Sequence, residues 1–230
     1  GCVYNESSLQ AVHDAVQGRE IFVICDEVYR QLDYTGGYHS FAEFRLDYYP
    51  ETVQIKGSTV SCRDKMADIV KTCMEYSKSF SSDSPGLFMM GATGLGKTFL
   101  STCIAEAVSA RGFSVAYDTA INIVAAYETI KFGSGDGEAA AERAARYERA
   151  DLLIIDDMGT EMGTAFTVSA LYNLINNRLM AKRPMIINTN LLPETLSEKY
   201  SPAVASRLLG EFLPLRFFGD DIRLLKMRRT

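Results

Sequence analysis

The chain has 230 residues, 47% of them apolar, with a formal net charge of -5. That supports one full domain around a buried core and argues against a uniformly basic nucleic-acid binder, while leaving room for a local basic strip. Cys2, Cys25, Cys62, Cys73 and Cys103 are odd in number and form no C-x-x-C pair, which fits reduced core thiols better than disulfides or a zinc site. No apolar run approaches a membrane span, and no basic stretch leads into an apolar signal core. The expectation is a soluble, cytoplasmic protein without a membrane partner.

Residues 1–40 read as a helix over 7–17, a buried strand Ile21-Phe22-Val23-Ile24-Cys25, and then Asp26-Glu27-Val28-Tyr29-Arg30. This piece resembles a fragment of the fold-type I PLP-dependent aminotransferases. The resemblance would set Asp26 on the pyridine nitrogen and Tyr29 on the phenolic oxygen of that cofactor. The lysine that should follow is missing from Gly57-Ser58-Thr59-Val60, so no internal aldimine forms, PLP chemistry is disfavoured, and the role of 1–40 stays unassigned. Residues 41–60 are aromatic at first and then without period, and they read as a linker that docks by its aromatics. A helix follows over 66–80, with Met66, Ile69, Val70, Cys73 and Met74 on one face. One domain is expected over 61–230.

The apolar strand Leu87-Phe88-Met89-Met90 runs into Gly91-Ala92-Thr93-Gly94-Leu95-Gly96-Lys97-Thr98, and a helix opens behind it. This is G-x-x-x-x-G-K-[ST] between strand and helix, the pattern of a phosphate-binding P-loop. Glycines let consecutive N–H groups close around an anion at the positive end of the helix. Lys97 adds a point charge for the β- and γ-phosphates, and the Thr98 hydroxyl is a Mg²⁺ ligand, so ATP and Mg²⁺ are the expected cofactors.

Further on, 113–117 reads as a second strand and 121–130 as a helix. Residues 131–137 read as a flexible break and 138–148 as a charged helix with a solvated face. Asp151-Leu152-Leu153-Ile154-Ile155-Asp156-Asp157 is a buried parallel strand that delivers two acids to its C-terminal end, the Walker B pattern. A helix over 166–180, a strand over 184–190 ending in amides, the unassigned stretch 193–200, a helix over 202–209 and a last strand over 213–217 complete the alternation. Strand alternating with helix predicts an α/β protein, a P-loop NTPase with a three-layer αβα sandwich around a parallel sheet. Only seven residues follow Arg223, so any helical lid is minimal or absent.

Taken together, Gly91 to Thr98, Ile154 to Glu161, Thr189-Asn190, Ala205-Ser206-Arg207-Leu208 and Gly219 to Arg223 resemble the AAA+ ATPases of the bacterial helicase-loader group and their IstB-type transposition-helper relatives, over about 41–230. The resemblance makes Asp156 the Mg²⁺-associated acid and Asp157 the acid that polarises water. It makes Asn190 the sensor I amide with Asn188 as fallback, Arg207 an arginine finger, and Arg223 the sensor II arginine. It implies a slow, Mg²⁺-dependent ATPase that forms nucleotide-dependent homo-oligomers and acts with a replicative DNA helicase and single-stranded DNA. A transposition helper and a scaffold without turnover remain the alternatives. In the insert over 120–150, Lys131 and Phe132 offer a cation and a stacking face for DNA, or, for Phe132, a helix-end core contact.

Overall fold

Residues 40–229, apart from Lys56 and Ser134, are described by a computed structural model. The aminotransferase-like elements of the N-terminal segment, with Asp26 and Tyr29, lie outside the described residues. Two 3-10 turns, Phe41–Glu43 and Leu46–Tyr48, lead into an antiparallel hairpin of β1 (Thr52–Ile55) and β2 (Ser58–Ser61). A hairpin this short offers too few alternations to show a period in sequence, and Gly57 at φ +82° supplies the left-handed turn residue. The hairpin ends in Ser61, whose hydroxyl accepts the Asp64 N–H and caps α1 (Cys62–Ser79).

In the rest each strand is followed by one or two helices: β3 (Gly86–Met90), α2 (Lys97–Ala110), β4 (Val115–Thr119), α3 (Ala120–Phe132), α4 (Gly137–Arg149), β5 (Leu152–Met158), α5 (Ala165–Met180), β6 (Met185–Thr189), α6 (Pro193–Tyr200), α7 (Pro202–Glu211), β7 (Phe212–Arg216) and α8 (Ile222–Arg229). The second strand starts two residues later than its apolar pattern suggests. Phe113 is used instead in an edge-on contact with Phe80, centroids 5.0 Å apart, and the Ser114 N–H goes to the Asp151 carboxylate at 2.8 Å. Helix α3 runs through Lys131 and Phe132, so the chain breaks only at Gly133, whose φ of +66° closes the helix with a bond to the Thr129 carbonyl.

Five parallel strands lie in the order β4-β5-β6-β3-β7. Side chains alternate through the sheet: Leu87 and Met89 join the core under α1 and α2, while Phe88 and Met90 join the core under the helices that follow β4. From β3 the chain crosses to the far edge, walks back through β5 and β6, and passes β3 again to lay down β7. That reversal around β3 opens a crevice at the C-terminal strand ends, where an open α/β sheet binds its ligand. Among the described residues, no helix is long and apolar enough to cross a membrane.

Candidate active site

The P-loop occupies that crevice. Gly96, at φ +88°, caps α2 without any side-chain hydrogen bond, which leaves the first-turn N–H groups directed at an anion. A Cβ on Gly96 would press on Phe44 at 3.0 Å and on the Tyr49 hydroxyl at 3.2 Å, and one on Gly94 would overlap the Asp221 carboxylate at 2.0 Å. The loop is thus braced from both ends of the described chain: Tyr49 donates to the Leu95 carbonyl at 2.7 Å, and the Ile222 N–H donates to the Gly94 carbonyl at 3.0 Å. Lys97 is almost fully buried, and its amine donates to the Gly91 and Ala92 carbonyls at 2.6 and 2.7 Å. Burial lowers its pKa, Asp157 and Asp156 act the other way, and Arg223 adds to the lowering.

The acid pair owes its geometry to a bulge in β5. Ile155 pairs with Ile187 and Met158 with Thr189, so three steps on β5 span two on β6. The irregularity turns consecutive carboxylates apart. Asp156 points inward, with Oδ2 accepting the Tyr117 hydroxyl at 2.7 Å and Oδ1 accepting Asn188 Nδ2 at 2.8 Å, the Thr98 hydroxyl at 3.3 Å and the Asp157 N–H at 3.0 Å. Asp157, at φ +51°, faces the open cavity, and its carbonyl is held by the N–H and hydroxyl of Thr160. Desolvation, with Asp156 close by, raises the Asp157 pKa against the pull of Lys97 and Arg223.

A cavity of about 350 Å³ brings together Thr93, Gly94, Lys97, Thr98, Asp157, Asn190 and Arg223. Asn190 is exposed at its rim, whereas Asn188 is fully buried beneath it and bonds both Asp156 and Ser101. Arg207 is not brought to this cavity. It lies on α7, its guanidinium 5.0 Å over the Tyr172 ring and its Nε bonded to the Asn176 carbonyl oxygen at 3.1 Å. Lys131 stands over the rings of Phe132 and Phe166, and Phe132 is 65% exposed, so it is a surface ring rather than a core contact.

Several residues at the site escape the motif reading. Phe44 stacks on Tyr49 and, with Glu43, Arg45 and Tyr48, forms the cavity wall opposite α8. Tyr117 and Ser101 carry a weak signal: a hydroxyl inside an otherwise apolar strand or helix face has to find a buried partner. Glu161 is buried, accepts the Gly159 N–H and the Tyr200 hydroxyl, and lies 3.8 Å from the Lys199 amine, tying the loop after β5 to α6.

For a magnesium ion the donor chemistry fits. Thr98 and Asp156 present hard oxygens side by side, and the buried Asn188 Oδ1 is an acceptor with no protein partner, suited to a bound water. Among the described residues no group of three or more His, Cys, Asp or Glu gathers to hold a metal. Mg²⁺ held by one carboxylate together with nucleotide phosphates needs none.

The sequence profile of the family described as IstB-like ATP binding protein matches residues 61–211. The replicative helicase loader DnaC of Escherichia coli K12 is 26% identical over 165 residues, covering 71% of this chain and 66% of that protein. The chain thus spans just under two thirds of that relative's length. Among solved structures, the DnaC helicase loader superposes with a TM-score of 0.60 at 16% identity, over 77% of this chain and 98% of that one. The AMPPCP-bound DnaA of Aquifex aeolicus gives 0.61 at 20% identity, over 86% and 57%. At these identities the structural likeness establishes the fold.

Proposed function

Because the chain belongs to the IstB-like ATP-binding protein family, we propose that it binds ATP with Mg²⁺ in the P-loop cavity, hydrolyses it slowly, and uses its nucleotide state to assemble with a replicative DNA helicase on single-stranded DNA. What carries the reading is the convergence of the P-loop, Asp157, Asn190 and Arg223 on a single cavity, with Asp156 bonded to Thr98 of its lining. Thr98 and Asp156 would hold Mg²⁺, which would supply Lewis-acid stabilisation to the nucleotide phosphates. The Lys97 amine exchanges the Gly91 and Ala92 carbonyls for phosphate oxygens. Asp157 orients and polarises the attacking water, Asn190 fixes that water or the γ-phosphate from the rim, and Arg223 balances charge on the phosphate oxygens. Arg207 faces away from its own P-loop and serves the site of a neighbouring copy in a nucleotide-dependent homo-oligomer. Lys131, Phe132 and Phe166 offer a cation between two rings, a surface on which an unpaired base can stack.

The family profile that matches is that of IstB-like proteins, and this favours one second reading, a transposition-helper ATPase acting on duplex DNA. A pull-down from host lysate with and without ATP, with the retained proteins identified, separates the two. Retention of a hexameric helicase only with ATP is the expected result. Retention of a transposase selects the second reading, and ATP-independent retention of neither leaves a nucleotide-binding scaffold.

A further inference from the structure

We infer that Tyr117 is a positioning residue for the reaction: its hydroxyl fixes which oxygen of Asp156 faces the P-loop. The inference rests on the reading of Asp156 as the metal-side acid. Asp156 is 4% exposed, so its carboxylate has to be satisfied by protein donors. Three of those donors, Asn188 Nδ2, the Thr98 hydroxyl and the Asp157 N–H, reach Oδ1. Oδ2 accepts the Tyr117 hydroxyl at 2.7 Å from the neighbouring strand. Beside it, 3.2 Å from the Tyr117 oxygen, lies the Ser101 hydroxyl, which donates to the Thr98 carbonyl at 3.0 Å and accepts from Asn188 at 2.9 Å. The ring Asp156, Tyr117, Ser101, Asn188 therefore closes on itself, and its members come from β5, β4, α2 and β6. Of the Asp156 oxygens, the one that Tyr117 leaves free of itself is the one beside Thr98.

Without the Tyr117 hydroxyl the carboxylate loses the bond that sets its rotation, and Oδ2 is left buried without a donor. Both effects weaken Asp156 as a metal partner and spare the N–H cradle of the P-loop, which Tyr117 does not touch.

The test is Tyr117→Phe, which keeps the ring and removes the hydroxyl, read by the binding of a fluorescent ATP analogue across a Mg²⁺ titration. In EDTA the affinity should stay within about twofold of the parent. The half-saturating Mg²⁺ concentration should rise about tenfold, the lower end for groups that hold metal ligands. An unchanged half-saturating Mg²⁺ overturns the inference, as does an equal loss of affinity with and without metal, which marks a purely structural tyrosine. Asp156→Asn runs beside it. If that variant keeps the parent's Mg²⁺ response, the reading of Asp156 itself fails; if it loses the response while Tyr117→Phe keeps it, only the role of Tyr117 fails. Should Tyr117→Phe not fold, Ser101→Ala takes its place, which removes the ring's contacts with Tyr117 and Asn188 and should raise the half-saturating Mg²⁺ about threefold or more. An unchanged value there overturns the inference, and so does failure of both variants to fold.

Discussion

The site has a closed half and an open half. Around Asp156, the Thr98, Ser101, Tyr117 and Asn188 side chains are bonded to one another before any ligand arrives. Around Asp157, the Asn190 and Arg223 side chains are exposed, and Arg207 is turned to another surface. A buried carboxylate has to be satisfied by protein donors, so the acid that we read as metal-side is held by the fold itself. Groups that act on the attacking water and on the developing charge stay open, because their partners are the nucleotide and, on our reading, a neighbouring protomer. The difference separates holding ATP from splitting it, and substitutions on the two sides should separate in the same way.

Arg207→Ala gives the largest expected change. A finger supplied in trans is typically worth roughly 10³ to 10⁵ in rate, so this variant should bind ATP normally and barely hydrolyse it. Mixing it with Lys97→Ala should restore part of the activity, since an intact P-loop then meets an intact finger across one interface. Full activity of Arg207→Ala over concentrations where the parent assembles would reduce Arg207 to its contacts with Tyr172 and Asn176. Asp157→Asn comes next, with binding kept and turnover lowered by about 10² to 10⁴, the usual worth of a positioned proton acceptor. Parent-rate hydrolysis in that variant would remove Asp157 from the chemistry.

On the holding side, Lys97→Ala should weaken ATP binding about 10- to 100-fold, the worth of charge-assisted bonds to phosphate. Equal affinity in a direct titration would mean that the N–H cradle alone holds the nucleotide. Away from the cavity, Phe132→Ala should weaken single-stranded DNA at least about fivefold by anisotropy, since one stacked base is worth about 1 to 3 kcal/mol. Binding by the parent should fall with salt and ignore base sequence. No binding by the parent at low salt with ATP present would remove DNA from this surface.

The phosphate cradle and the acid pair are the legible part. Gly91 to Thr98 and Asp156-Asp157 are local patterns whose chemistry needs consecutive residues, and the strand-helix alternation around them yields the parallel sheet. The bonds around Asp156 are not legible, because Tyr117, Ser101 and Asn188 come together there through sheet order, which no local pattern encodes. Arg178 makes the same point about the core. In a helix it reads as one more solvated cation, yet it is 1% exposed and bonds the Tyr147, Glu148, Ala150 and Pro184 carbonyls, and burial with Arg183 nearby brings its pKa down to about 10. Its partners are main-chain oxygens at the end of α4 and the start of β6, which carry no side-chain signature in sequence.

The smallest expected effect probes the open half by itself. The folded protein raises the Asp157 pKa, by desolvation first and by Asp156 second. Between the ordinary carboxylate value of about 3.9 and that raised value, the folded state holds a proton that the unfolded state has released, so this group's contribution to stability falls as pH rises through the window. Above that raised value both states are ionised and the cost is fully present. Asp157→Asn carries no charge to pay it, and asparagine accepts the left-handed backbone at φ +51° with little strain. The nucleotide-free variant should therefore melt above the parent at neutral pH, by a small margin because solvent screens this exposed group, and the gap should close as pH falls toward 4. Melting curves at several pH values read this directly. A gap that is absent at pH 7, or that does not change with pH, would mean that the ionised Asp157 costs the empty site nothing, and the contrast between the two halves would then lie in their hydrogen bonds alone.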